Sequence, residues 1–146
     1  MADITVTATQ VRPITSGCLP PQRMQVGTAV TRGQAVYIDA NGKVAPADAD
    51  AEASSMAKGI VVSCGSQGAT SAAAGDEVDV VLLGRVMLGS SASMTEGQPV
   101  YVSTTAGALD QTAPATAGDF PYIIGYAFSV NELFVQPQLT VPTVNS

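Results

Sequence analysis

The chain repeats itself. The stretch "TRGQAVYIDANGKV" begins at Thr31, and "TEGQPVYVSTTAGAL" begins at Thr95. Thr95, Gly97, Gln98, Val100 and Tyr101 match Thr31, Gly33, Gln34, Val36 and Tyr37, each 64 positions later. Val102 stands for Ile38. One inserted residue then puts Gly107 in the place of Gly42, and "IIGYAF" echoes "AKGIVV" with Gly125 for Gly59. The copies cover about residues 31–62 and 95–128. Two copies are too few for a stacked solenoid. A unit of a few strands cannot cover its own apolar side, but two related units can cover each other. The repeat therefore predicts a small barrel or sandwich with pseudo-twofold internal order.

The units read as strands. Side chains alternate across a strand, so Val36 and Ile38 are expected on one face, with Tyr37 and Asp39 on the other. Asn41-Gly42 between two β-prone runs predicts a tight hairpin with a type I′ turn. "EVDVVLLGRVML" reads as one long strand or two, bent at Gly84, with Val78, Val80 and Leu82 sharing a face. "PADADAEASSMAKG" is the one helical candidate, about ten residues. Asp48, Asp50 and Glu52 lie near its start, Lys58 at its end, and Gly59 is placed to stop it. In the second copy "DQTAPATAGDFP" takes its place, and two prolines make that a loop. Short strands, frequent turn signals and one short helix give an all-β class.

The body begins near Met24, so the chain divides into an N-terminal arm (residues 1–23) and a single β domain (residues 24–146). "ITVTATQV" has the alternation of an extended strand, and Pro20-Pro21 end regular pairing. Two readings stand for this segment: a frayed terminus, or an arm that orders only against a neighbour. Tyr37 and Tyr101 read as rings capping the core with their hydroxyls in water.

Composition narrows the function. Hydrophobic residues make up 46% of the chain and charged residues 12%, where ordinary soluble domains are about a quarter charged. Such a surface is sticky on a free monomer, which points to cover by sister subunits or a large partner. Net charge is −6, and Arg12, Arg23, Arg32, Lys43, Lys58 and Arg85 are scattered singly. No basic stripe follows a phosphate backbone, so nucleic acid is not an expected partner. No apolar run has membrane-spanning length, and the first ten residues do not read as a secretory signal.

Chemistry is hard to find. The chain has no histidine, which removes Ser-His-Asp and Cys-His nucleophile systems and the commonest zinc ligand. Cys18 and Cys64 are the only cysteines, expected reduced and buried rather than bridged. Asp48, Asp50 and Glu52 read as a solvated helix start. Asp76, Glu77 and Asp79 read as strand-edge surface, without the spacing of a calcium loop. No catalytic, cofactor or metal residue is assigned, and no enzyme activity is expected.

The run "GTAVTRGQAVYIDANGKVAPADADAEASSMAKGIV", then "AAGDEVDVVLLGRVML", "TEGQPVYVSTTAGAL" and "IIGYAF…ELFVQPQ" resembles the capsid cement, or head-decoration, proteins of tailed bacteriophages. The likeness covers residues 26–137. It rests on a G-x-x-V-Y-[IV]-D-x-x-G hairpin, an Ala-rich acidic segment ending in Gly-Ile, an A-G-D-x-V-x-V strand and a second G-x-x-V-Y-V. It implies a homotrimer that binds the outer surface of the phage head, contacts the major capsid protein and stabilises the shell. Such a protein is a structural virion component made in the host bacterial cytoplasm. The resemblance also implies capsid contact through an N-terminal arm, here Asp3, Ile4, Thr5, Val6, Thr7, Val11, Arg12 and Ile14. The alternative is a phage tail- or fibre-associated module recognising host-surface glycans, with Tyr37 and Tyr101 as stacking residues.

Overall fold

A computed structural model describes residues 3–14, 19–65 and 68–146. In chain order the strands are β1 (Arg12–Ile14), β2 (Gln22–Gln25), β3 (Val30–Thr31), β4 (Ala35–Ile38), β5 (Val44–Pro46), β6 (Gly59–Ser63), β7 (Ser71–Ala72), β8 (Glu77–Val81), β9 (Gly84–Met87), β10 (Pro99–Val102), β11 (Leu109–Asp110), β12 (Ile123–Ala127) and β13 (Glu132–Val135). The fold is all-β, as the periodicity predicts. Among the described residues the one α-helix, α1, is a single turn over Glu52–Ser55.

The duplication is visible in the sheets. One large sheet runs β2-β8-β6-β4-β5, a second runs β1-β9-β13-β12-β10-β11, and β3 pairs with β7 in a small third sheet. Leaving β1 aside, the two large sheets share one topology: the first strand of each unit pairs with its last, then the order returns inward. Hydrogen bonds repeat as well. The Gly33 N–H donates to Val61 O at 2.7 Å, and the Val61 N–H to Gln34 O at 3.0 Å. The Gly97 N–H donates to Ala127 O at 2.8 Å, and the Ala127 N–H to Gln98 O at 3.0 Å. Val36 lies opposite Gly59, and Val100 opposite Gly125. The 64-residue offset even reaches the first strands, since Gln22 faces Val80 as Val86 faces Leu133.

The units do not bury equivalent faces, so pseudo-twofold order is not what packs them. In the first unit Val26 forms a parallel bridge to Val44, and the Gly27 N–H donates to Val44 O at 2.8 Å. This joins the β2 end of the sheet to β5 and closes a small barrel. Val26, Val36, Val44, Val61, Val78 and Val80 fill it, with Val30 of β3 and Ala72 of β7 joining the same cluster. The opposite face of that sheet carries Ala35, Ile60, Val62 and Val81, which belong to the main core. There they meet Val100, Val102, Leu109, Ala127, Leu133 and Val135 of the second unit. Of these, Val100, Leu109, Ala127 and Leu133 are the counterparts of Val36, Val44, Val61 and Val80 in the first unit's barrel interior. The second unit therefore wraps around the outside of the first.

The N-terminal segment completes the second unit. The Ile4 N–H donates to Leu109 O at 2.7 Å and the Thr7 N–H to Leu88 O at 3.0 Å. Val11 is fully buried in the main core, and β1 pairs antiparallel with β9. The arm orders against its own body, not only against a neighbour.

Three local expectations change. The hairpin after β4 is not type I′, because Asn41 keeps a negative φ while Gly42 has φ +77°. The Gly42 N–H donates to Asp39 O at 3.0 Å, and Asp39 Oδ1 accepts from the Asn41 and Lys43 N–H groups at 2.9 and 3.0 Å. An aspartate bonding ahead into the turn favours a three-residue loop ending in a left-handed glycine. Ile38 turns out to be 43% exposed, lying past the covered part of the barrel. The expected ten-residue helix shrinks because Ala47, Ala49 and Ala57 are all buried. Ala49 extends its N–H to Ser103 O at 3.1 Å and its carbonyl to the Phe120 N–H at 2.8 Å. Those tertiary bonds hold the backbone out of a helix, overriding alanine's propensity.

Candidate functional site

Most of the arm positions singled out from sequence are engaged within the chain. Asp3 Oδ1 accepts from Ser103 Oγ at 2.5 Å. Ile4 and Val6 pack against the main core. Thr7 is tied to Leu88 O, and Ile14 lies opposite Arg85 in the sheet. The Arg32 guanidinium donates to Val11 O, through Nε at 2.9 Å. Of the chosen positions, only Thr5 and Arg12 are exposed.

The acidic groups serve the fold locally. Asp79 accepts from Arg23 Nε at 3.2 Å across the β2–β8 pair, and Asp76 Oδ2 accepts from the Ala73 N–H at 2.9 Å. Asp48 Oδ1 accepts from the Asp50 N–H at 3.1 Å. Burial pushes the Asp48 carboxyl above its usual range, and the charges of Asp50 and Asp119 add to this. Cys64 is free and buried in the first barrel, and that burial raises its thiol. Cys18 lies outside the described residues. Tyr37 packs against the main core, while Tyr101 is half-buried opposite Asp110. Among the described residues no three Cys, Asp or Glu side chains converge as metal ligands.

The surface feature that sequence reasoning missed is the outer face of the second unit. Its strand register aligns Ile14, Arg85, Phe134, Tyr126 and Pro99 in one row across five strands. The rings of Phe134 and Tyr126 stack with centroids 5.4 Å apart and planes 19° apart. Arg85 lies 4.2 Å over the Phe128 ring and donates to Glu132 Oε1 at 2.5 Å. Phe128 is 45% exposed, Val130 47% and Tyr126 36%. Exposed aromatics around an arginine are the composition of protein interfaces.

Comparison of the two units gives this face its meaning. Pro99, Tyr126, Phe128 and Phe134 stand where the first unit has Ala35, Ile60, Val62 and Val81. That first-unit face is buried, because the second unit covers it. Among the described residues nothing covers the duplicate face in this way, and it carries larger, aromatic side chains. The signal was present in "IIGYAF", where Tyr126 and Phe128 replace aliphatics of the first copy at alternate positions. Reading it required knowing which face of the unit is covered.

No protein-family model matches this chain, and no curated protein sequence is significantly similar to it.

Proposed function

We infer that this protein is a structural virion subunit, a trimeric decoration protein that binds the outer surface of a phage head and stabilises the shell. The observation that carries the reading is the aromatic face of the second unit, a sheet surface whose duplicate in the same chain is covered by protein. The sequence resemblance to cement proteins supplies the setting, and the charge-poor composition fits a surface meant to be covered. On this reading sister subunits or the major capsid protein cover Tyr126, Phe128 and Phe134. The arm contributes by completing the fold behind that face, with Thr5 and Arg12 as its outward positions. A bound subunit stabilises the shell by its preference for the assembled state over the unassembled one.

The test combines sizing with co-sedimentation on undecorated expanded heads. The expected result is a trimer that sediments with heads. Tyr126→Asp and Phe128→Asp should keep the circular dichroism of the parent and sediment at least tenfold less. A strict monomer that never sediments with heads would remove the reading. Glycan-array binding that is lost in Tyr101→Ala would replace it with the tail- or fibre-module alternative.

A further inference from the structure

The loop from Asp110 to Asp119 stands where the first unit has α1. Asp119 is only 8% exposed, and its Oδ2 is buried with no hydrogen-bond donor among the described residues. Asp119 lines a cavity of about 240 Å³ together with Ser103, Thr104, Asp110, Thr112 and Thr116. No lysine or arginine is among the residues lining it.

The backbone around this cavity is fixed while the carboxylate is not satisfied. The Asp119 N–H donates to Thr116 O at 3.1 Å, and Asp119 O accepts from the Asn145 N–H at 2.8 Å. The Asn145 side chain donates to Pro114 O at 2.7 Å. Asp110 Oδ1 accepts from the Thr112 N–H at 2.9 Å, which leaves its second oxygen for other use. A buried carboxylate oxygen without a partner, here Asp119 Oδ2, is unfavourable, and a positive charge would satisfy it. The side chains around it offer oxygen only, from carboxylates and hydroxyls, and oxygen ligands select hard cations. Magnesium demands a tight octahedron and gives up water reluctantly, whereas calcium accepts irregular oxygen shells of 6–8 ligands, water included. A space of about 240 Å³ holds an ion and several waters, each taking about 30 Å³.

We propose that this cavity binds one calcium ion, with the Asp119 and Asp110 carboxylates as charged ligands and threonine hydroxyls and water completing the shell. The ion neutralises Asp119 and ties the 110–119 loop, and the C-terminal segment bonded to it through Asn145, to the second unit. This is independent of what covers the aromatic face.

The test uses the full chain stripped with chelator, then titrated with Ca²⁺ or Mg²⁺ by calorimetry and by thermal melting. Expected are one Ca²⁺ per chain, a melting temperature that rises and saturates with Ca²⁺, and a weaker response to Mg²⁺. Asp119→Asn should abolish the calcium dependence while melting in chelator no lower than the parent, since it removes an uncompensated charge. Asp110→Asn keeps the acceptor for the Thr112 N–H and should weaken calcium at least tenfold. It stands as the test if Asp119→Asn does not fold. A parent chain indifferent to millimolar Ca²⁺, or variants that bind as the parent does, would overturn the proposal.

Discussion

Gly59 and Gly125 occupy the same place in the two units, each beneath a carbonyl of the neighbouring strand. A Cβ at Gly59 would overlap the carbonyl oxygen of Val81, and one at Gly125 would overlap that of Phe134. Val81 lies opposite Ile60 as Phe134 lies opposite Tyr126, so the two crowded carbonyls are themselves counterparts. The identity of these glycines is therefore set by close backbone approach in both copies.

Gly59→Ala and Gly125→Ala are each expected to lower stability by roughly 1–3 kcal/mol or more, the cost of overpacking where backbone must move. Gly42→Ala is the contrast. Its Cβ would meet nothing within 4 Å, but its φ of +77° is left-handed, at about 1–2 kcal/mol for a residue with a side chain. Urea denaturation of the three variants checks this. Equal tolerance of alanine at Gly59 and at an exposed surface position would contradict the packing described.

The arm is expected to be part of the folding unit. Val11 is fully buried, and burying a valine is worth roughly 1.5–3 kcal/mol. Gln10 also accepts from the Ser90 N–H at 2.7 Å. Deleting residues 1–14 should cost several kcal/mol by loss of Val11, of the β1–β9 pairing and of the bonds to Leu88 and Leu109. Thermal melting of the truncated chain checks this. A melting temperature unchanged from the parent would show that the segment is dispensable for the fold.

Asp48 gives a pH prediction with a definite sign. Its carboxyl is raised above the ordinary 3.8 by burial first, then by nearby acids. A raised carboxyl means that the charged form is disfavoured in the fold. The penalty is complete above the raised value and disappears as pH falls through it towards 3.8. Asp48→Asn keeps an Oδ1 acceptor for the Asp50 N–H, so it should be at least as stable as the parent at pH 7. That difference should shrink as pH falls towards 3.8. Urea midpoints of both proteins, measured in chelator across this range, report it. A variant that is less stable by the same amount at every pH would refute the assignment.

Much of the architecture is legible in residues 31–39 and 95–103. Their shared spacing fixes the T-x-G-Q turn, with Gly33 at φ +96° and Gly97 at φ +79°, and the strand that follows it. Alternation marks β4, β8 and β10, and the echo of "AKGIVV" in "IIGYAF" marks β6 and β12. The helix misleads because Ala49 and Ala57 are alanines for reasons of space, not propensity. The outer aromatic face is hidden because both sides of these strands are apolar: Ala35 and Tyr37 on one, Val36 on the other. Alternation then says that two faces exist without saying which one another sheet covers.

What the sequence alone determined was a duplicated β unit, the places of its turns and its strand segments, because these depend on local φ preferences and on period-two burial. What only the tertiary structure decided was how the copies close. Val26 bridges to Val44 and seals the first unit. In the second unit Ser90 occupies Val26's position and bonds to Gln10 of the arm instead. The second unit stays open, takes the first unit's outer face and the arm as its core, and presents its own outer face to solvent. That choice rests on contacts between residues 100 or more positions apart, such as Ser103 with Asp3 and Leu109 with Ile4, and no local pattern encodes them.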